Sequence, residues 1–428
     1  VNFAASVKNK PMQKEFVLNR AYYAPFGQIQ TTEMIDMLKQ RNIQIVRQIL
    51  PLDEALQNDE IREGFLTQYV DVSNAFIQAG FKVILDFHQD LYCRKFGGCG
   101  LPDKYLPESQ RNKVVKLPFG GKKWGFNYIF NKDQCSLWAH FFQNCQQMYI
   151  DDISRIINFL RPKMPTFYQY VNVFNEPSSP NLYLGKFKFQ QNDDRQILGG
   201  FFLKAAQQLT DVQIIVDHFG FDSNGKLGYI GYDLQYLPNM TMGIHVYEVG
   251  ADSAEMVMEK HLQLCQQSNA QEMLLTEFGD LSCGKNLQRL RRQIELFQQL
   301  DLSMMIWEMD PSYNSGLHVN EQDSYPWNQE NMTVICGRQD TVIGEVYFEY
   351  SKFALKKYNI LGQDEKLIAK KTQQGEIFYK FVANSVNKCQ ERIFALKNKC
   401  YIQFVGDQVF STQKIYLNSQ QVSYEGEQ

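Results

Sequence analysis

Residues 82–87 read KVILDF, and residues 304–307 read MMIW. Each is a short, nearly unbroken apolar run, the pattern of a strand buried on both faces of a sheet. With their flanks these runs cover 82–88 and 303–308, and similar β-type runs occur at 15–20, 44–50, 168–175, 213–219, 240–247 and 272–278. Helical patterns lie between them, as at 32–41, 61–79 and 198–209. Eight strands alternating with helices predict an α/β protein with a closed parallel (β/α)8 barrel. A doubly wound open sheet is the competing arrangement, and the absence of a GxGxxG turn after the first strand weighs against it.

After about residue 360 the pattern changes. IFYKFVANS, RIFALK, CYIQFV and KIYLN are short alternating runs with polar turns and no helix between them. Residues 1–360 are therefore read as the barrel, and 361–428 as a small C-terminal antiparallel β-sandwich domain. A chain of 428 residues is long enough for one large core and a second small one.

Hydrophobic content of 44% and charge of 21% fit a folded globular chain. A net charge of -3 offers no general attraction to nucleic acid, so none is expected as a partner. Aromatic residues make up 14%, which core packing accounts for more readily than sugar stacking. The chain opens at Val1 without a basic and apolar leader, which reads as processing or trimming. Among nine cysteines, Cys93 with Cys99 and Cys389 with Cys400 are candidate disulfides. No CxxC pair occurs and the six histidines do not sit at ligand spacing around the cysteines, so no metal site is expected. Asn239-Met-Thr and Asn331-Met-Thr are glycosylation sequons, and with the cysteine pairs they point to a secreted or lysosomal glycoprotein.

In a barrel of this kind, chemistry sits at the C-terminal ends of the strands. The second strand contains Arg47, and the predicted ends of the third and fourth carry His88-Gln89-Asp90 and Asn175-Glu176-Pro177. Later ends carry His245-Val246-Tyr247, Thr276-Glu277-Phe278-Gly279 and Trp307-Glu308. Glycoside hydrolysis needs two carboxyl groups flanking one bond, and Glu176 and Glu277 supply them from opposite sides of the mouth. Taken singly, each residue has an ordinary reading. A strand-end NEP makes a turn, a buried histidine satisfies a core, and a tryptophan packs. The whole set on one rim is not explained that way.

At these residues the chain resembles glycoside hydrolase family 5, and within it the endoglycoceramidases. LDFHQDLYCRKFGG, VNVFNEP, GIHVY, LLTEFGD and IWEMDPSYN resemble that subfamily's strand-end signatures in the same order, and WNQENMTV its barrel-closing segment. The likeness covers roughly residues 15–355. It implies a retaining hydrolase without metal or organic cofactor, acting on the β-glucosyl linkage of glycosphingolipids. Carried over, Glu176 corresponds to the acid/base and Glu277 to the nucleophile. Asn175 would bond the 2-hydroxyl, Tyr247 orient the nucleophile, and Arg47 help keep it ionised. His88 and Asp90 would contact sugar hydroxyls, His245 would complete the hydrogen-bond ring, and Trp307 would form the floor. The family often has a lysine after strand one, where this chain has Asn19 leading into Arg20. It also has a small-residue turn where Gln48-Ile49-Leu50 stands here.

Two segments mix lysines with aromatics beside the catalytic rim, 117–130 (LPFGGKKWGFNYIF) and 181–189 (NLYLGKFKF). They suit an amphipathic substrate held at a membrane surface, with Trp124 and Phe126 in a groove for the lipid. Packed lids are the alternative. The alternative functions are a β-1,4-glucanase or mannanase of the same fold, and a silent barrel that binds glycolipid.

Overall fold

The computed structural model describes residues 1–3, 31–57, 59–113, 115, 125–168, 170–180, 191–218, 220, 232–248, 253–268, 270, 272–280, 287–300, 302–309, 332–336 and 339–350, with six short strands beyond. Eight parallel strands follow one another around one sheet in chain order. They are β1 (Asn2–Phe3), β2 (Ile45–Ile49), β3 (Lys82–Asp86), β4 (Tyr170–Asn172), β5 (Gln213–Asp217), β6 (Met240–Val246), β7 (Glu272–Phe278) and β8 (Met304–Ile306). Phe3 bridges in parallel to Met309, just beyond β8, and the Met309 N–H donates to the Asn2 carbonyl at 2.8 Å. That contact closes the ring. The protein is a (β/α)8 barrel.

Its outer helices are α1 (Thr31–Gln40), α2 (Glu63–Gln78), α3 (Gln146–Leu160), α4 (Gln191–Gln208), α5 (Ala254–Ser268), α6 (Leu287–Gln299) and α7 (Val342–Tyr350). Among the described residues no helix separates β5 from β6, and none is long and apolar enough to cross a membrane.

The first strand differs from the sequence expectation. Residues 15–20 lie outside the described residues, and Asn2–Phe3 fills the barrel's first position. Two residues are too few for a period-2 pattern to register. The strand exists because neighbours on both sides satisfy its backbone.

A period of two along each strand builds the interior in layers. Ile45, Ile84, Tyr170, Ile215, Leu274 and Met305 form an apolar plug of their own, separate from the main core. Two residues further along the same strands stand Arg47, Asp86, Asn172, Asp217, Thr276 and Trp307. All six are buried. The polar layer therefore rests on an apolar floor. Gly243 in β6 makes room for it, because a Cβ there would lie 2.5 Å from both Asp217 Oδ1 and Ile215 Cγ2.

Outward faces of the strands pack on the helices through residues such as Val46, Leu85, Ile214, Phe65, Ile153 and Phe297. Each such burial contributes about 1.5–3 kcal/mol. Aromatics concentrate beyond β4, where Phe174 meets Tyr149, Phe141, Phe201 and Trp138 at centroid distances of 4.8, 5.1, 5.7 and 5.9 Å. This cluster holds the chain immediately before Asn175 and Glu176.

Beyond residue 360, Lys366–Lys371 pairs antiparallel with Ile377–Ala383, and Ile415–Leu417 with Gln420–Val422. Tyr401–Phe404 joins Ile377–Ala383 in parallel, contrary to the all-antiparallel expectation. RIFALK, at 392–397, lies outside the described residues.

Replacing Phe174 by Ala should cost about 3–5 kcal/mol, because a ring packed on four others leaves a cavity that cannot collapse. Urea denaturation would show a clear fall in midpoint, and an unchanged midpoint would contradict the packing account.

Candidate active site

Arg47 is the hub of the polar layer. Its guanidinium is fully buried, with Nη1 donating to Glu277 Oε2 at 2.9 Å and to Asn2 Oδ1 at 2.8 Å. Nη2 donates to Asn175 Oδ1 at 2.7 Å and lies 3.1 Å from Asp86 Oδ1 and 3.7 Å from Asp217 Oδ2. Burial by itself would lower the Arg47 pKa, but Asp86, Asp217, Glu277 and Glu176 together hold it above its ordinary value.

Glu277 is near the end of β7, where the register shifts against both neighbours. Ile244 faces Leu275 while His245 faces Glu277, and Met304 faces Leu275 while Ile306 faces Phe278. Such irregularities re-aim side chains. Thr276 Oγ1 donates to the Ile244 carbonyl at 3.2 Å, and Asn2 Nδ2 reaches the carbonyls of Thr276, Met305 and Ile306 at 3.1, 3.0 and 3.3 Å. The backbone displaced by the shift is thus satisfied. Tyr247 Oη donates to Glu277 Oε1 at 2.7 Å, so both oxygens of this carboxylate are held.

Glu176 lies across the mouth, just past β4. Its φ of 41° is in the left-handed region, a costly conformation for a non-glycine residue and one that clusters at functional sites. Gln89 stabilises it, donating through Nε2 to the carbonyls of Asn175 and Glu176 at 2.8 and 3.0 Å. Asn175 Nδ2 donates back to the Gln89 carbonyl at 2.9 Å. On the side-chain side, Glu176 Oε1 lies 2.6 Å from His245 Nδ1, and His245 Nε2 lies 3.6 Å from Asp217 Oδ2. One ligand-type oxygen of Glu176 and one of Glu277 lie within 4.8 Å of each other.

His88 sits between two carboxylates, with Nδ1 2.8 Å from Asp86 Oδ2 and Nε2 3.0 Å from Asp90 Oδ2. Its ring stacks on Trp307 at 5.4 Å with 7° between planes. Both of its nitrogens are engaged within the protein, and its ring braces the indole.

Burial pushes the Glu277 carboxyl above its ordinary range. His245, Arg47 and His88 pull it down, Glu176 pushes it further up, and the net direction is upward. Arg47 pulls towards the ionised form, as a nearby positive charge does, and burial outweighs it. Burial also lowers the His245 pKa, against the upward pull of Glu277 and Asp217, and so favours a neutral ring.

The structure gathers Arg47, His88, Asp90, Asn175, Glu176, His245, Tyr247, Glu277 and Trp307 around this one mouth. Trp124 lies outside the described residues, as does 181–189. Phe126 is 48% exposed and pairs with Phe130, itself 50% exposed, at 5.9 Å. The sequence reading gave no role to Asn2, Asp86, Gln89, Asn172 and Asp217. Asn172 donates to Asp217 Oδ2 at 2.8 Å. Polar residues inside KVILDF, VNVFNEP and QIIVDHF were the available signal, since a buried polar group is the informative exception in a core.

Two expected modifications meet different surroundings. Cys93 and Cys99 are buried and form no disulfide with each other, with Cys93 in the core and Cys99 Sγ donating to Asp90 Oδ2 at 3.8 Å; Cys389 and Cys400 lie outside the described residues. Asn239 Nδ2, the atom a glycan would occupy, donates to the carbonyls of Ala206 and Leu209 at 2.9 and 3.1 Å. Asn331 lies outside the described residues.

Glu176, His245 and Glu277 could in principle share a cation, as could His88, Asp90 and Cys99, since each set has its ligand atoms within 4.8 Å of one another. In the first set Arg47 and Tyr247 already occupy both Glu277 oxygens, and a metal would meet a guanidinium. That set suits acid/base and nucleophilic chemistry.

No family model matches the chain. Among solved structures, the endo-glycoceramidase II of Rhodococcus sp., as its lactosyl-enzyme intermediate, is similar at a TM-score of 0.50. It is 15% identical, over 72% of this chain and 71% of that one. An endogalactoceramidase crystal structure is similar at a TM-score of 0.53, with 12% identity over 72% of this chain and 70% of that one. At such identities the likeness shows the fold. A triosephosphate isomerase of Orientia tsutsugamushi is 26% identical over 137 residues, 30% of this chain and 55% of the isomerase, so the match spans about half of that relative's length.

The raised Glu277 pKa has a consequence for stability. A carboxyl whose folded pKa exceeds its unfolded one contributes fully below the unfolded pKa, and loses that contribution as pH rises through the folded pKa. Glu277→Gln cannot ionise and escapes the loss. Its urea midpoint should exceed that of the unaltered chain at pH 7, and the gap should close as the pH is lowered into the ordinary carboxylate range. A gap of opposite sign, or one independent of pH, would contradict the direction assigned here.

Proposed function

We propose that the chain is a retaining β-glycosidase of the endoglycoceramidase type within glycoside hydrolase family 5, cleaving the β-glucosyl–ceramide linkage of glycosphingolipids. The observation that carries this reading is the pair Glu176 and Glu277, on opposite strands of the mouth with carboxyl oxygens within 4.8 Å. Retaining enzymes have carboxyl groups about 5–5.5 Å apart and inverting ones about 6.5–9.5 Å. The short approach supports direct attack, with no water between carboxylate and sugar.

In the first step Glu277 attacks the anomeric carbon as the bond to the aglycone oxygen breaks. Glu176 gives that oxygen its proton, leaving a glycosyl ester on Glu277. In the second, the Glu176 carboxylate takes a proton from water, the water oxygen attacks the same carbon, and Glu277 is released. Arg47 and Tyr247 hold the nucleophile's oxygens, and His245 keeps the acid oriented. The lactosyl-enzyme intermediate of the Rhodococcus endo-glycoceramidase II gives this mechanism a precedent on the same fold.

For the lipid, the support is the exposed Phe126–Phe130 pair. The intervening Tyr128 is tied to the mouth, its hydroxyl accepting from the Leu91 N–H at 2.7 Å. A ceramide's chains gain about 0.8 kcal/mol per buried methylene, so apolar surface beside the acid/base has a use. A secretory or lysosomal setting belongs to the same proposal and rests on the substrate class, because neither the Asn239 sequon nor the Cys93–Cys99 pair supports it.

Glu176→Ala should depress turnover of natural glycosides far more than of activated aryl glycosides, whose leaving groups need little protonation. Added azide should then rescue the second step and yield a β-glycosyl azide. A uniform loss across leaving groups, with no azide product, would remove Glu176 from the role. Trp124→Ser with Phe126→Ser should raise KM for ceramide glycosides several-fold and leave short aryl glycosides almost unchanged. Equal effects on both would make the segment a lid, and turnover of cellulose-type chains in preference to ceramide glycosides would replace the lipid reading with a glucanase.

A further inference from the structure

The chain leaving β3 doubles back within ten residues. Asp90 and Cys99 form an antiparallel bridge, with Asp90 N–H donating to the Cys99 carbonyl at 3.0 Å and Cys99 N–H to the Asp90 carbonyl at 2.9 Å. The approach is close enough that a Cβ on Gly98 would lie 1.6 Å from the Asp90 carbonyl oxygen, and one on Gly100 2.3 Å from Gln89 Cβ. Leu91 and Tyr92 take φ values of 49° and 72°, both costly for non-glycine residues, to complete the turn. The loop is then fastened from outside. Arg94 pairs with Asp53 at 3.0 Å and Glu54 at 2.8 Å, and the Asp53 N–H donates to the Gly100 carbonyl at 2.7 Å.

This folding brings three different ligand types together. His88 Nε2 lies 3.0 Å from Asp90 Oδ2, which lies 3.8 Å from Cys99 Sγ, and ligand atoms of all three fall within 4.8 Å of one another. All three residues are buried, at 2%, 4% and 2% exposure. We propose that His88, Asp90 and Cys99 form a three-ligand site for a zinc-like divalent cation at the rim of the barrel.

The donor set favours such an ion. Zinc accepts imidazole nitrogen, thiolate sulfur and carboxylate oxygen together, whereas calcium and magnesium take oxygen alone. His88 also has the outer support that metal-bound histidines use, its Nδ1 facing the Asp86 carboxylate at 2.8 Å. With Nδ1–H directed at Asp86, Nε2 presents its lone pair to the ion. Arg94 on the same loop does not oppose the ion's charge, because Asp53 and Glu54 meet it. Three protein ligands leave the fourth tetrahedral position to water. Binding releases the Cys99 thiol proton, and the proton held between His88 Nε2 and Asp90, to solvent. Spacing along the chain hides this trio, because eight residues of loop separate Asp90 from its neighbour Cys99.

The site has a consequence that rests on the glycosidase reading. If His88 and Asp90 meet sugar hydroxyls, an ion that occupies both displaces the sugar, and zinc becomes an inhibitor competitive with substrate. The metal site itself does not depend on that reading.

The test is zinc K-edge absorption on the intact chain loaded with one equivalent of zinc. The expected shell is one sulfur at about 2.3 Å among nitrogen and oxygen at about 2.0 Å. Cys99→Ser should lose the sulfur and Cys93→Ser should keep it. A shell without sulfur, one with two or more, or a sulfur that survives Cys99→Ser would overturn the proposal. Should the serine variant misfold by circular dichroism, Cys99→Ala, which keeps the main-chain bridge to Asp90, answers the same question. Zinc should also raise the apparent KM of the unaltered enzyme and leave that of Cys99→Ser unchanged. Zinc-insensitive turnover with the sulfur present would leave the site standing and remove His88 and Asp90 from sugar binding.

Discussion

One buried positive charge organises this molecule. The Arg47 guanidinium, without solvent contact, binds or faces Asn2, Asp86, Asn175, Asp217 and Glu277, which arrive from β1, β3, β5, β7 and the segment after β4. Removing such a charge from water costs several kcal/mol, recovered only where partners surround it. Three carboxylates at this distance would repel one another without it. The arginine therefore makes the carboxylate layer possible, and the carboxylates make the buried arginine possible. A fold that assembles this layer has, in the same act, placed Glu277.

The strands were legible because burial on both faces writes itself as apolar runs. β7 was read with its bounds unchanged, and the other runs from β2 onward were read with ends a few residues too long. β1 was not legible. Asn2–Phe3 has no pattern of its own and is held by Met309 on one side and Arg47 on the other, which are contacts over long sequence separations. The pairing of Cys93 with Cys99 was plausible as spacing, yet the turn at Leu91 and Tyr92 sends Cys93 into the core and Cys99 onto Asp90.

The mouth was legible at the strand ends and less so beneath them. Glu176 and Tyr247 follow the last apolar residue of a run, and Glu277 and His245 stand one residue before it. Asp86, Asn172 and Asp217 stand inside the runs, one inward step above Ile84, Tyr170 and Ile215, and alternation alone gives no reason to separate them from the core. Gln89 was noticed only as part of a motif. Its amide holds the carbonyls of Asn175 and Glu176, and so supports the left-handed turn that aims the proposed acid. Strain at Glu176 is carried by Gln89 on one side and by the aromatic cluster around Phe174 on the other.

The central claim is that Glu277 forms a covalent bond to the sugar. A 2-fluoro-β-glucosyl fluoride slows the second step and lets the ester accumulate, so intact-mass measurement followed by peptide mapping reads the claim directly. One sugar per chain, carried on Glu277 and absent from Glu277→Gln, is the result this account requires. Labelling at another carboxylate, or complete turnover to the α-configured sugar with no label, would contradict it.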